Sequence, residues 1–304
     1  MSQSLNQCQS TILAHALANN FQAATHLATE LSQSLQTLGA FDPVDVTSRY
    51  LYLRHTQECR MGEVLEKVYE NLLPGSNRSE TRERFRFSLE RIHQASQAAH
   101  QELRGLTAGC NPAQRAYPLA LCPKIDDEKL FEISCAEAHL THFNGQAGQV
   151  SGIINLILRR LIKGDSWKEA VDFAFDKAPA DLTADIREIH QRYTDDHILS
   201  AHTDPAYAPN VLHTTLYCVN KAVSFDDAYT RVQEIDKHYS PTLVCLLAGA
   251  RWGIPPSIVE NSHSDRIRLL KKLGDRFHRD WEKQPSMGNN ILRRIFTQFS
   301  FELH

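Results

Sequence analysis

The chain is predicted to be all-α, and three observations carry that prediction. First, apolar residues recur at helical spacing, most clearly at Val150, Ile153, Ile154, Ile157, Leu158, Leu161 and Ile162, which form one broad stripe of an amphipathic helix. Second, start and stop signals bracket such stretches. Gly164 closes this one, and Ser166 with Glu169 three residues on reads as the capping box of the next helix. Third, no segment shows a convincing alternation of period two, the mark of a half-buried strand.

Helices are predicted near 11–37, 44–57, 61–73, 80–103, 127–141, 150–162, 182–192, 210–222 and 264–283, with further starts at Ser166 and Ser224. Ser224 is a natural N-cap because Asp226 and Asp227 follow in the first turn, where the helix dipole favours negative charge. Val211 to Val223 is rich in β-branched residues, yet its spacing suits a buried helix as well as a strand. Arg78, Arg82, Arg84, Arg86 and Arg91 interleave with Glu80, Glu83 and Glu90, a pattern expected of an exposed helix laced with ion pairs. Breaks fall at Pro74-Gly75, at 109–123 and at 201–209, the last holding Pro205 and Pro209 and reading as a surface loop. None is long or biased enough to be a linker. A single helical domain over 1–304 is the preferred organisation, with two helical lobes as the alternative.

Composition narrows the function classes. Apolar residues make up 42% of 304, enough for a substantial core. A net charge of −3 gives no reason to expect a nucleic-acid partner. The cysteines at 8, 59, 110, 122, 135, 218 and 245 are odd in number and scattered, with no Cys-x-x-Cys, as in a protein of reduced thiols. The first ten residues lack a basic region followed by an apolar run, and Arg159 and Arg160 interrupt the best apolar stretch. A cytoplasmic location with no membrane partner is the resulting expectation.

Four segments carry a family resemblance. Ser34 to Pro43 (SLQTLGAFDP) resembles a helix end followed by Gly-Gly-Phe-Asp-Pro. Gly109 to Leu119 (GCNPAQRAYPL) resembles Gly-Asn-Gly-Ala-Ala-Met-Arg-x-x-Pro-Leu. Leu140-Thr141-His142 resembles a Leu-Thr-His helix end that precedes an apolar helix and a glycine stop. Ala248 to Pro255 (AGARWGIP) resembles an Ala-Gly-Ala-x-x-Gly helix running into an Ile-Pro turn. In this order and spacing they are similar to the ADP-ribosylglycohydrolase superfamily, which includes dinitrogenase-reductase-activating glycohydrolases, ADP-ribosylhydrolases and lens crystallins. The resemblance covers about 22–260. It implies an all-helical fold, a pair of magnesium ions, and cleavage of ADP-ribose from N- or O-glycosidic linkages.

The same resemblance locates the metal ligands and shows most of them replaced. The family's early Thr-Asp-Asp-Thr run falls on Gln22-Ala23-Ala24-Thr25, so both carboxylates have become methyl groups. The late Gly-Gly-Asp-Thr-Asp-Thr run falls on Glu234-Ile235-Asp236-Lys237-His238-Tyr239, which keeps one acid and introduces a lysine and a histidine. No Asp or Glu precedes Glu30. Each lost carboxylate removes several kcal/mol of attraction for a nearby cation at an effective dielectric of about 20. The expectation is therefore a degraded magnesium site and no cofactor, in a non-hydrolytic protein that binds ADP-ribose, a nucleotide-like molecule or a protein partner. Gly109, Cys110, Asn111, Arg115, Thr141, His142 and Tyr239 are its candidate ligand-binding residues.

The alternative is an active hydrolase in which Asp236 and His238 are catalytic around a single transition metal, with Thr25 as a further ligand. His26 and Glu30, one turn apart, are candidates to join that metal, although a solvated helix face explains them more simply. Thr194, Asp195, Asp196, His197, His202 and Asp204 gather ligand atoms without a recognised metal spacing. Glu137, His139 and His142 lie within two turns. Cys110 has only Arg115 nearby to activate it, which favours an unreactive thiol. Tyr117 and Tyr239 are candidates to stack on adenine or ribose, with buried filler as the simpler role.

Overall fold

A computed structural model describes residues 5–56, 61–73, 81–195, 204–260 and 265–283. Its helices are α1 (Gln7–Ala18), α2 (Ala23–Leu38), α3 (Pro43–Thr56), α4 (Glu63–Leu72), α5 (Leu89–Glu102), α6 (Asn111–Arg115), α7 (Pro118–Leu121), α8 (Asp127–His139), α9 (Gly145–Ile162), α10 (Trp167–Lys177), α11 (Ala184–Arg192), α12 (Ala208–Lys221), α13 (Phe225–Ile235), α14 (Pro241–Trp252), α15 (Pro256–Glu260) and α16 (Asp265–Glu282). Among the described residues there is no strand, only one isolated antiparallel bridge between Gly109 and Tyr207. The β-branched stretch from Val211 lies in α12, where burial on several sides suits a helix.

The central element is α9. Its stripe from Val150 to Leu161 is buried, and α8, α10, α6, α7, α12 and α14 pack around it. Asn144 caps its start by accepting from the Gln146 N–H (3.0 Å), and Gly164 ends it with φ +93°. The capping box at Ser166 and Glu169 and the Ser224 cap both form as the sequence indicates.

A second layer is built on α1, which is wedged between α14 and α16. Two glycines permit this. A Cβ at Gly249 would lie 2.7 Å from the Ala14 Cβ, and one at Gly274 would lie 2.7 Å from the Gln9 Cα. The Ala-Gly-Ala segment is thus a close helix–helix contact. α16 is also pinned by polar bonds: Asp275 accepts from Gln9 (2.8 Å) and Asn6 (3.1 Å), and the Trp281 indole donates to the Leu121 carbonyl (2.9 Å).

Two predicted helices are corrected. The span 11–37 is two helices, because Asn20 and Phe21 take left-handed φ values of 51° and 54° and reverse the chain. The span 80–103 is a 3-10 turn at Arg82–Phe85, anchored by buried Phe85, followed by α5 with Ser88 as N-cap. Arg78 and Glu80 of the expected ion-pair ladder lie outside the described residues. Arg82 reaches Asp45 of α3 (3.7 Å), and Arg91 donates to the Leu72 carbonyl (3.1 Å). No helix among the described residues is long and apolar enough to cross a membrane.

Candidate functional site

The 107–117 segment is held in place before any ligand is considered. Cys110 N–H donates to the Ala206 carbonyl (3.0 Å) and Ala208 N–H donates to the Ala108 carbonyl (2.8 Å), so the loop is zipped to the start of α12. Pro112 at the second position of α6 starts the short helix that carries Arg115 inward. Arg115 and Glu137 have no exposed side-chain surface and pair at 2.7 Å through Nε and Oε1. The guanidinium also donates to Asn111 Oδ1 (2.7 Å) and Thr141 Oγ1 (2.9 Å), while the Tyr50 hydroxyl donates to Glu137 Oε1 (2.8 Å). Burial alone would lower the Arg115 pKa, but the adjacent Glu137 carboxylate more than offsets it.

This network gathers Asn111, Arg115 and Thr141 of the predicted ligand set. His142 joins through Nδ1, 2.8 Å from Thr141 Oγ1, and its Nε2 lies against Gly109. Burial first, and then the Arg115 charge, hold His142 well below its ordinary pKa, so it is neutral. Cys110 is buried, which pushes its thiol up to about 12 and leaves it protonated. Glu137 turns inward to Arg115, whereas His139 stacks on Phe143 with ring centroids 6.3 Å apart. Tyr50 was not a sequence candidate, because a tyrosine on an amphipathic helix carries no local sign of its partner.

The Asp236 loop sits beside α6 through a relay. Gln114 Nε2 donates to the Tyr239 carbonyl (2.7 Å), and the Gln114 carbonyl accepts from His15 Nε2 (2.6 Å), joining α1, α6 and the start of α14. Asp236 ends α13 and accepts four hydrogen bonds: Oδ1 from the N–H groups of His238 (2.8 Å) and Tyr239 (3.1 Å), Oδ2 from the N–H (2.7 Å) and hydroxyl (2.6 Å) of Ser240. A carboxylate offers about four lone-pair directions, so these bonds occupy them all. Burial would raise its pKa, but the Ser240 hydroxyl and the three N–H groups together hold it below its ordinary value. His238 is exposed, and Lys237 points to a separate cavity against α1.

The early run lies at the start of α2. Thr25 donates from both its N–H (3.2 Å) and its hydroxyl (3.0 Å) to Asn19 Oδ1, at the end of α1. Ala24 is buried, and Ala23 packs against the core. His26 and Glu30 face elsewhere: Glu30 pairs with Arg49 of α3 (3.6 Å), and His26 feels burial and the Arg266 charge of α16. Asp195 pairs with Arg192 (3.2 Å) and Asp204 caps a turn at Ala206 (2.9 Å); Asp196, His197 and His202 lie outside the described residues. Among the described residues no group of three or more His, Cys, Asp or Glu side chains is placed to hold a metal ion. Tyr117 is core, its ring 4.6 Å from that of His15.

His15 makes a pH prediction. Full burial drives its pKa down to about 4, against the raising effect of its bond to Gln114. Its folded value lies below the unfolded one, so above about pH 6.5 it contributes nothing to pH dependence. As pH falls from 6.5 toward 4, the unfolded chain takes up a proton that the folded chain refuses, and stability is lost. At about 1.4 kcal/mol per unit, the loss at pH 5 is about 2 kcal/mol. Urea unfolding at pH 7 and pH 5 should show this difference shrinking by that amount in His15→Phe; an unchanged difference would refute the assignment.

A family model described as ADP-ribosylglycohydrolase matches residues 7–286. A solved structure titled "ADP-ribosylglycohydrolase-related protein complex" is similar in fold, with a TM-score of 0.66 at 19% identity, over 90% of this chain and 97% of that one. No curated protein matches. The helical frame, the buried loop network and the extent of the match lead to one conclusion: the chain belongs to the ADP-ribosylglycohydrolase family.

Proposed function

We propose that this chain is a non-hydrolytic member of its family that binds ADP-ribose or a related nucleotide without magnesium. The observation that carries the reading is the state of Asp236, the one acid kept in the late run. Its four acceptor positions are spent on tying α13 to the first turn of α14, so it serves as a structural anchor. Magnesium needs several hard oxygen donors in octahedral array. The residues here do not fit that demand: Ala23 and Ala24 offer methyl groups, Thr25 is committed to Asn19, and Lys237 adds a positive charge. The same saturation argues against Asp236 as a general base paired with His238.

Ligand contact on this reading falls to the half-buried Gly109 and Asn111, to the partly exposed Phe143, and to the first turn of α9. Arg115, Thr141 and Glu137 are positioning residues, since they are buried beneath the loop. Isothermal titration with ADP-ribose, with and without Mg²⁺, tests the proposal, alongside release of ADP-ribose from modified arginine or serine. Binding of equal strength in both conditions and no turnover are expected. Affinity that rises with Mg²⁺, or turnover abolished in Asp236→Ala, would overturn it.

A further inference from the structure

A cavity of about 350 Å³ lies between α1, α13 and α14, away from the 107–117 loop. Three pairs of residues spaced four apart build it, one from each helix: Ala14 and Ala18 of α1, Phe225 and Tyr229 of α13, Pro241 and Cys245 of α14. The cause of the space is legible in these residues. α1 presents two alanines, Ala14 and Ala18, beside Leu17 on this face, and the chain then reverses at Asn20 and Phe21, so α1 fills the gap only in part.

The floor is apolar. Ala14, Phe225, Pro241, Cys245 and Ile254 are buried, and burial pushes the Cys245 thiol up to about 12, so it stays neutral. The mouth is polar and of one sign: Lys237, Gln233, Asn20 and the phenol of half-exposed Tyr229 lie there. Among the lining residues there is one cation and no acid. The neighbouring Asp236 carboxylate is consumed by its four bonds at 238–240, and the Lys237 ammonium forms no ion pair among the described residues.

We propose that this cavity binds a small monocarboxylate with an apolar, preferably aromatic, body. The body lies on the Phe225 and Ile254 floor and edges against the Tyr229 ring; the carboxylate sits at the mouth, where Lys237 pairs with it and the Gln233 and Asn20 amides can donate. The volume lies at the lower end of the ~300–1,000 Å³ range of small-molecule sites, and an apolar chamber with a few convergent polar groups is their usual chemistry. The lysine that departs from the family run thereby acquires a role distinct from the nucleotide site.

Isothermal titration of the full chain with 4-phenylbutyrate, and with its neutral amide, tests this. The acid should bind about five- to tenfold more tightly than the amide, the worth of one charge-assisted contact at a partly exposed site. Lys237→Met should reduce the acid to the level of the amide, and Lys237→Arg should retain the preference. Ala18→Phe should abolish both by filling the chamber; its unfolding midpoint shows whether it folds, and the Lys237 variants decide the matter if it does not. Equal binding of acid and amide, an acid preference that survives Lys237→Met, or binding that survives in folded Ala18→Phe would each overturn the proposal. Displacement of 4-phenylbutyrate by ADP-ribose would make the cavity part of the nucleotide site and refute it as a separate one.

Discussion

Glu137→Ala is expected to destabilise the protein by about 3–5 kcal/mol, the usual cost of stranding one member of a buried ion pair. Arg115 would keep its bonds to Asn111 and Thr141, yet its charge would lie in the core with no anion beside it. The Tyr50 hydroxyl would lose its acceptor at the same time. Glu137→Gln preserves the shape and one acceptor but not the charge, so it should recover only part of the loss. The double variant Glu137→Leu with Arg115→Met should be far more stable than Glu137→Ala, because no buried charge remains. Urea-unfolding free energies at pH 7 give all three values. A loss below about 1 kcal/mol in Glu137→Ala would mean that water reaches Arg115 and that the pair is not the keystone of the loop.

Arg159→Lys should cost about 2–5 kcal/mol, although the charge is kept. Arg159 is 1% exposed and uses every N–H it has. Nε donates to the Ala120 carbonyl (2.6 Å), Nη1 to the Ile125 carbonyl (2.8 Å) and Asp127 Oδ1 (2.9 Å), and Nη2 to the carbonyls of Leu119 (3.0 Å) and Cys122 (2.9 Å). These bonds fasten α7 and the chain leading from it into α8 onto the central helix. An ammonium has three donors and no planar fork, so at least two buried acceptors would be left bare. The guanidinium also lies 5.2 Å from the centre of the Trp281 ring. Loosening of α16 should therefore accompany the stability loss, read as faster amide exchange over 265–282. A lysine variant within about 0.5 kcal/mol of wild type would show that water satisfies these carbonyls.

Arg159 also illustrates how far the sequence could be read. In a linear reading it interrupts an apolar run, which argues against a membrane span and nothing more. Only the fold brings four carbonyls and an aspartate to its fork. Arg115 and Glu137 are separated by 22 residues, and Tyr50 by 87 from Glu137, so their convergence has no local signature. The Gly109–Arg115 and Thr141-His142 segments could be nominated because a family pattern marked them. That pattern did not reveal which of them face solvent and which are buried supports.

Helices, by contrast, were legible wherever periodicity and caps agreed, as at α9, α10 and α13. They were misjudged where a non-glycine left-handed turn broke the chain, as at Asn20 and Phe21. This turn is closed by local bonds, from the Asn20 N–H to the Leu17 carbonyl and from the Phe21 N–H to the Ala16 carbonyl. Asparagine tolerates such a φ, but a bulky phenylalanine in the same region gives no sequence signal for it. The replacement of acids by Ala23 and Ala24 was readable by alignment to a motif. That Asp236 spends all its acceptors on residues 238–240 does not follow from that alignment, although every partner lies within four residues, as in an Asp-led turn.

The sequence by itself determined the helical class, the caps, the apolar stripe of the central helix and the residue types at the inherited site. These follow from interactions within a few residues, where spacing along the chain is spacing in space. The tertiary structure decided which polar groups are partnered, which are buried, and where a cavity opens against Lys237. Those depend on contacts between residues far apart in the chain, and on small side chains that matter through the volume they leave unfilled.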